Sequence, residues 1–563
     1  MSDPTQPMQG LKLQCIAWAL GLTFFAWFVL TFGVLEQLGF DAGHATSVAR
    51  NLIEGKGLRT SIIASEALFN QEVIPAIQTI WPPGMPIATA LLHVASGIEP
   101  AIGFIWINAA AHLLTAVLVV VILTMAGLRF PVAMAAGFIC LVTVPNWILV
   151  IRGHSEPPMV VFGLIFLLTT VLALRSPVKR GVSIWVLLAI ASGAIGFLMR
   201  YQSMALIGPV IMLALFGLTG RLGTNFPVRR SVAIGLGLTI VILIYLGSNV
   251  LIAGAATGSD SPFSTRSLSE VADALVLVPD FAREVVFVTQ IVLTIALALF
   301  TLAIAGRKPR VDVSGARLGQ HQTQVLTLIF SSFTVVAVVG MISILTFMTP
   351  AYPWLARYFV PSLPMLIIAL IVLMLLGSRR TAQAIQGSKA AGVLTTTGVV
   401  IALGAQIPAA ELIQTAKGKN VLTVAQSVPV VRALLENNTT DDGVRPVLMS
   451  NHEAYLGLVT SHPVLGTPFP DPIKPGWDEY RVAKAARRYR VTHVIYFSDY
   501  PKDWGRNDLT RVLMQNPEWL EKSFANESVV IYTINPDRLS VALDQLAHQP
   551  SPQLSADQTQ LAK

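Results

Sequence analysis

Residues 101–127 read AIGFIWINAAAHLLTAVLVVVILTMAG, and this stretch decides the fold class. It contains no Asp, Glu, Lys or Arg, and as a helix it exceeds the ~20 apolar residues that cross the hydrocarbon core of a bilayer. Working outward, similar runs occur at 13–33, 131–150, 157–174, 181–199, 204–220 and 231–253, then at 284–305, 325–348, 359–377 and 391–410. The 563 residues are 53% hydrophobic and only 12% charged, against about 25% charged in an ordinary soluble domain. The expectation is a membrane all-α protein with about eleven transmembrane helices. Cys15 and Cys140 both lie inside apolar runs, which excludes a disulfide framework or a cysteine metal site.

One more run, Pro83 to Gly97, is too short for a comfortable crossing and follows Trp81-Pro82, so it reads either as a span or as a re-entrant, interfacial helix. Loop charges decide between the two. If it does not cross, Arg129, then Arg175, Lys179 and Arg180, then Arg221, Arg229 and Arg230 share the side of the N-terminus. Arg307, Lys308, Arg310 and Arg317, and then Arg379, Arg380 and Lys389, join them there. That is the positive-inside pattern, so the net charge of +8 reports topology rather than nucleic-acid binding. The first run lacks a charge-rich start and a small-residue cleavage site, and reads as an uncleaved helix with a cytoplasmic N-terminus. Eleven crossings then put the C-terminus outside.

After Gln406 the apolar stretches shorten. Arg445–Ser450, Thr492–Ser498 and Ser528–Ile534 read as strands, Val428–Glu436 and Asp478–Arg490 as helices, together a soluble α/β domain. The expected organisation is a transmembrane catalytic domain over 1–410, an extracytoplasmic α/β domain over 411–548 and a disordered tail over 549–563.

Chemistry is expected where polar residues meet the outer membrane face. The longest outer loop, from Gly33 to about Pro82, carries Asp41, His44, Arg50, Glu54 and Lys56. Asp41 through Ile53 has a helical pattern with Asp41 as N-cap, and capping alone would be one sufficient account of that residue. Glycosyl transfer from a lipid phosphate would be another: it needs a base for the acceptor hydroxyl and positive charge where the phosphate departs.

The loop's Asp41-Ala42-Gly43-His44, Ser47-Val48-Ala49-Arg50-Asn51-Leu52, Glu54-Gly55-Lys56-Gly57 and Trp81-Pro82-Pro83-Gly84 resemble the first periplasmic loop of GT-C glycosyltransferases. The bacterial members are relatives of protein mannosyltransferases and of the lipid A aminoarabinose transferase, and use polyprenyl-phosphate sugars. Gly153-His154-Ser155-Glu156-Pro157 resembles the family's second outer loop; Arg200-Tyr201 and Arg357-Tyr358 resemble its Arg-Tyr pairs at outer helix ends. The likeness spans roughly 10–410 and implies a bacterial inner-membrane enzyme with a large first periplasmic loop containing interfacial helices. The second acidic residue that relatives often carry beside the loop aspartate is missing here, where Asp41 is flanked by Phe40 and Ala42.

The resemblance implies Asp41 as catalytic base and inversion at the anomeric carbon, with Arg200 and Arg357 as phosphate ligands because a guanidinium meets phosphate oxygens bidentately. Capping or headgroup binding is the alternative for both arginines. His44, His154 and Glu156 are candidates to hold a divalent cation (Mg2+ or Mn2+) or steer the acceptor, although Glu156 could instead pair with Arg152. Tyr352, Trp354 and Tyr358 are candidates for a sugar platform, and with Tyr201 equally fit an aromatic belt. Asn451-His452-Glu453 suggests a further polar site. No Walker loop or dinucleotide turn appears, which argues against a nucleotide-sugar donor. The expected partners are a polyprenyl-phosphate sugar, an extracytoplasmic glycan, lipid or protein acceptor, and membrane lipid. The rival reading is a transporter or flippase of lipid-linked sugar, which would place ionisable groups near the bilayer midplane.

Overall fold

The computed structural model describes residues 6–253, 429–433, 445–548 and four positions at 364–365 and 367–368, apart from 34–37, 64–70, 72, 80, 126–127, 129, 176–180, 220–226, 461, 467–476 and 499–507. The runs expected at 284–305, 325–348 and 391–410, and nearly all of 359–377, lie outside the described residues. The helices are α1 (Gln6–Phe32), α2 (Phe40–Ile53), α3 (Gly84–Ser96), α4 (Pro100–Met125), α5 (Phe130–Leu141), α6 (Val144–Ile151), α7 (Glu156–Arg175) and α8 (Gly181–Met199). They continue with α9 (Ile207–Leu218), α10 (Val228–Ala253), α11 (Glu453–Thr460), α12 (Glu479–Arg488), α13 (Asp508–Met514) and α14 (Pro536–Ala547). The strands are β1 (Arg59–Thr60), β2 (Ile62–Ile63), β3 (Ala76–Ile77), β4 (Val447–Ser450), β5 (Val464–Gly466), β6 (Val491–Phe497), β7 (Leu520–Ala525) and β8 (Val529–Ile534).

Two compact units result. A helical unit comprises Met1–Val34, Phe104–Ser248 and Pro262–Ile413; a sheet unit comprises Leu35–Gly103, Asn249–Ser261 and Gln414–Lys563. The first loop therefore groups with C-terminal residues in the sheet unit.

In the helical unit, α1, α4, α7 and α10 are long and apolar enough to cross a membrane. Ile16, Leu20, Phe24, Trp27 and Leu30 of α1 are exposed, as are Leu236, Ile240, Leu243 and Leu251 of α10. Apolar stripes of this size are stable against lipid and a liability in water. Small residues close the helix contacts: a Cβ on Gly137 of α5 would stand 2.7 Å from the Ala116 carbonyl oxygen of α4. The run expected as one span at 131–150 is broken into α5 and α6. The break exposes the Leu141 carbonyl, which accepts from Trp147 Nε1 (2.7 Å) and His112 Nε2 (2.9 Å), as a backbone group in an apolar medium requires. The run at 204–220 likewise opens with a 3-10 turn, Tyr201–Leu206, before α9.

Among the described residues the sheet unit holds a six-stranded sheet in the order β2-β5-β4-β6-β8-β7 and a separate antiparallel pair, β1 with β3. β2, β5, β4 and β6 are parallel, β8 pairs antiparallel with β6, and β7 pairs antiparallel with β8 at the edge. Helices cover both faces, so successive residues of β4 enter opposite cores: Met449 packs with Val482, Val494 and Trp519, and Leu448 with Leu456, Ile495 and Phe497. The strands expected from sequence are β4, β6 and β8, and α12 begins where expected, Asp478 accepting from the Arg481 amide at 2.9 Å. Of the helix expected at Val428–Glu436, residues 429–433 are described and are helical. The edge strand β2 comes from the first loop, with Ile62 opposite Val464. Also in this unit, α3 has 13 residues, roughly 20 Å of helix, which is short of the ~30 Å core.

Candidate functional site

In the sheet unit, α2 begins at Phe40 with Gly39 at the N-cap position, and no side chain caps it. Asp41 is therefore not the cap expected from sequence; it lies within the first turn, where the helix dipole favours a carboxylate, and is 7% exposed. His44, three residues on, is fully buried with its ring 4.8 Å from that of Trp81. Burial pushes its pKa down to about 3 against the opposing pull of Asp41, so the imidazole is neutral at pH 7. The rest of the Ser47 to Gly57 motif is structural. Ser47 Oγ accepts from the Ser61 amide (2.8 Å), and Asn51 Nδ2 donates to the Arg59 carbonyl (2.8 Å) and Ser61 Oγ (3.0 Å). Gly55 and Gly57 adopt φ of 76° and 78°, which side-chain-bearing residues rarely do. Arg50 Nη2 pairs with Glu99 Oε1 at 2.7 Å, while Glu99 Oε2 accepts from the Ala101 amide at the start of α4 (2.7 Å).

In the helical unit, α6 ends in a Schellman turn: the Gly153 amide bonds to the Val150 carbonyl (3.2 Å) and the His154 amide to Leu149 (3.0 Å). Gly153 supplies the required positive φ of 65°. This turn sends the buried His154-Ser155-Glu156 into the start of α7. At the end of α8, Arg200 Nη1 donates to Ser155 Oγ (2.9 Å) and to Glu156 Oε2 (3.1 Å), with side chains 7% and 0% exposed. A partner of Glu156 is thus Arg200, 44 residues away. Charge-assisted bonds at such burial fix both groups. Beside them is a small cavity lined by His112, Thr115, Asn146, Glu156, Pro157 and Pro364. Tyr201 packs against Phe197 (5.5 Å) and Tyr245 (6.2 Å).

The structure therefore joins Ser155, Glu156 and Arg200 in one unit and Asp41, His44 and Trp81 in the other. The metal candidates divide accordingly, with His44 in the sheet unit and His154 and Glu156 in the helical unit. Arg357, Tyr352, Trp354 and Tyr358 lie outside the described residues. Asn451 is structural: it donates to the Phe497 carbonyl and accepts from the Phe497 amide, each at 2.9 Å, tying β4 to β6. Desolvation pushes His452 down to about 4 and Glu453 up to about 8. Sequence reasoning missed the Ser155 contact, and the buried amides of Asn108 and Gln202, which have no hydrogen-bond partner among the described residues. Neither had a spacing signal.

No family model and no curated protein matches the sequence. Solved structures do share its architecture. ArnT, the lipid A aminoarabinose transferase, from Cupriavidus metallidurans, bound to undecaprenyl phosphate, is 12% identical with a TM-score of 0.51, over 94% of this chain and 98% of that one. The Archaeoglobus fulgidus oligosaccharyltransferase tethered with an acceptor peptide is also 12% identical with a TM-score of 0.51, over 94% of this chain and 74% of that one. Both have the GT-C fold, and so does this chain.

Proposed function

We propose that the chain is an inverting glycosyltransferase of a bacterial inner membrane, moving a sugar from a polyprenyl-phosphate donor to an extracytoplasmic glycan, lipid or protein acceptor. What supports this most is the fold likeness, along almost the whole length of both chains, to a transferase bound to undecaprenyl phosphate.

In this reading the Asp41 carboxylate accepts the proton of the acceptor hydroxyl as its oxygen bonds to the anomeric carbon. The bond from that carbon to the phosphate oxygen breaks on the opposite face, and the electron pair leaves with the polyprenyl phosphate. Burial raises the strength of every charge interaction involved. Neutral His44 orients the acceptor by hydrogen bonding. Arg200 and Arg357 bind the leaving phosphate, Arg200 being aimed by Glu156 and Ser155. We include a divalent cation among the partners, because buried carboxylates and imidazoles such as Glu156 and His154 of the helical unit are donors that such ions take; when bound it would supply Lewis-acid neutralisation of the phosphate.

The deciding experiment is single-turnover transfer by purified Asp41→Asn, with donor-lipid binding measured separately. The amide conserves volume but takes up no proton, so turnover should fall about 10²–10⁴-fold with donor still bound. Full activity would remove Asp41 from the mechanism. Movement of intact lipid-linked sugar across vesicles, with no cleavage by the unmodified protein, would favour the transporter reading.

A further inference from the structure

The helix that carries Asp41 rests on the C-terminal part of the chain. A Cβ on Gly43 would stand 2.6 Å from the Ala454 carbonyl oxygen and 3.0 Å from its carbon, so α2 and α11 approach almost backbone to backbone. Two turns further along α2, Arg50 Nη1 donates to the Leu458 carbonyl at 2.9 Å and to Gly457 at 3.4 Å, at the end of α11 where a cation complements the helix dipole. Both contacts advance in the same direction along the two helices. β2 also packs closely against α11, since a Cβ on Gly457 would meet the Ile62 side chain at 2.7 Å. Ile62 is itself completely buried and in register with Val464.

We propose that α11 is the seat that positions Asp41, and that Gly43 and Arg50 are positioning residues acting through Asp41 without touching substrate. This rests on the assignment of Asp41 as base. Turnover depends on near-attack geometry, and a displacement of about 1 Å costs on the order of 10²-fold. A methyl at position 43 meets backbone, which cannot rotate away as a side chain would, so Gly43→Ala must shift α2 off its seat.

The test is a double-mutant cycle in the full chain: Gly43→Ala, Asp41→Asn, and both together, each in single-turnover transfer with donor binding measured separately. Gly43→Ala is expected to lower kcat about 10–100-fold with KM for donor changed less than about two-fold. In the Asp41→Asn background the same change should add almost nothing, because a misplaced base and an absent base are equivalent. Losses that multiply, or normal kcat in Gly43→Ala, would overturn the proposal. Full activity of Asp41→Asn would fell the base assignment, and a loss in Gly43→Ala alone would then show the seat serving another group. If Gly43→Ala does not fold, Arg50→Gln at the far end of the contact replaces it, with an expected loss of about 3–10-fold that is again absent when Asp41 is already Asn.

Discussion

In the helical unit the buried ion pair forms between two consecutive helices. Glu156 at the start of α7 meets Arg200 at the end of α8 across 44 residues. In the sheet unit the partners are remote, with Arg50 reaching Leu458 across 408 residues and Ile62 paired with Val464. Each unit is organised by its solvent. Segments in lipid must satisfy their own backbone and are written as continuous apolar runs, whereas a sheet can accept a strand from anywhere in the chain provided the edge groups match.

The comparison can be broken first at the local contact. Glu156→Ala leaves the Arg200 guanidinium in a site where neither side chain exceeds 7% exposure, at an expected cost of about 3–5 kcal/mol. The measurement is thermal unfolding in detergent. Glu156→Leu with Arg200→Met should recover most of that loss; an equally unstable double variant would mean that the pair is not what the packing depends on.

A smaller effect, dependent on pH, should arise in the sheet unit. Burial raises Glu453 from the ordinary 4.5 to about 8, so the folded state retains a proton that the unfolded chain gives up. Its contribution is complete below pH 4.5 and is lost as pH rises through about 8, on the order of 2 kcal/mol between pH 5 and 7. Glu453→Gln should flatten that decline. An unchanged slope would locate the titration elsewhere.

Smallest is the effect that sharpens the remote claim. Ile62→Val removes one methylene from a fully buried edge strand, costing about 0.5–1.5 kcal/mol. Hydrogen exchange should accelerate at the Val464 amide, which donates to the Ser61 carbonyl at 2.9 Å. Faster exchange confined to the first loop would refute a shared sheet.

The contrast also explains what was legible in the sequence. Hydropathy located α1 and α4 through α10 because lipid makes burial a matter of composition, though it missed the break at Val142-Thr143, whose cost is met by Trp147, just beyond the break, and by His112 of α4. In the sheet unit the long strands β6 and β8 were readable. β2 and β5, of two and three residues, were not, because parallel pairing with a distant strand leaves no local period. For the site, motif order singled out Asp41, His44, His154, Glu156 and Arg200, but the pairing of Arg200 with Glu156 required three dimensions. Spacing pointed to Arg152, one helical turn away, and carried no signal for a partner at the end of α8, 44 residues on.

The pairing of β2 with β5 also sets a schedule. Ile62 leaves the ribosome some 400 residues before Val464 exists, an interval of about 20–80 s at ~5–20 residues per second. Throughout it, the loop carrying Asp41 has no sheet to join, while the helices between are being made. On the reading proposed here, catalytic competence would wait until α11 has been made, and a chain truncated before residue 453 would have every apolar run, the loop aspartate, and nothing to seat it.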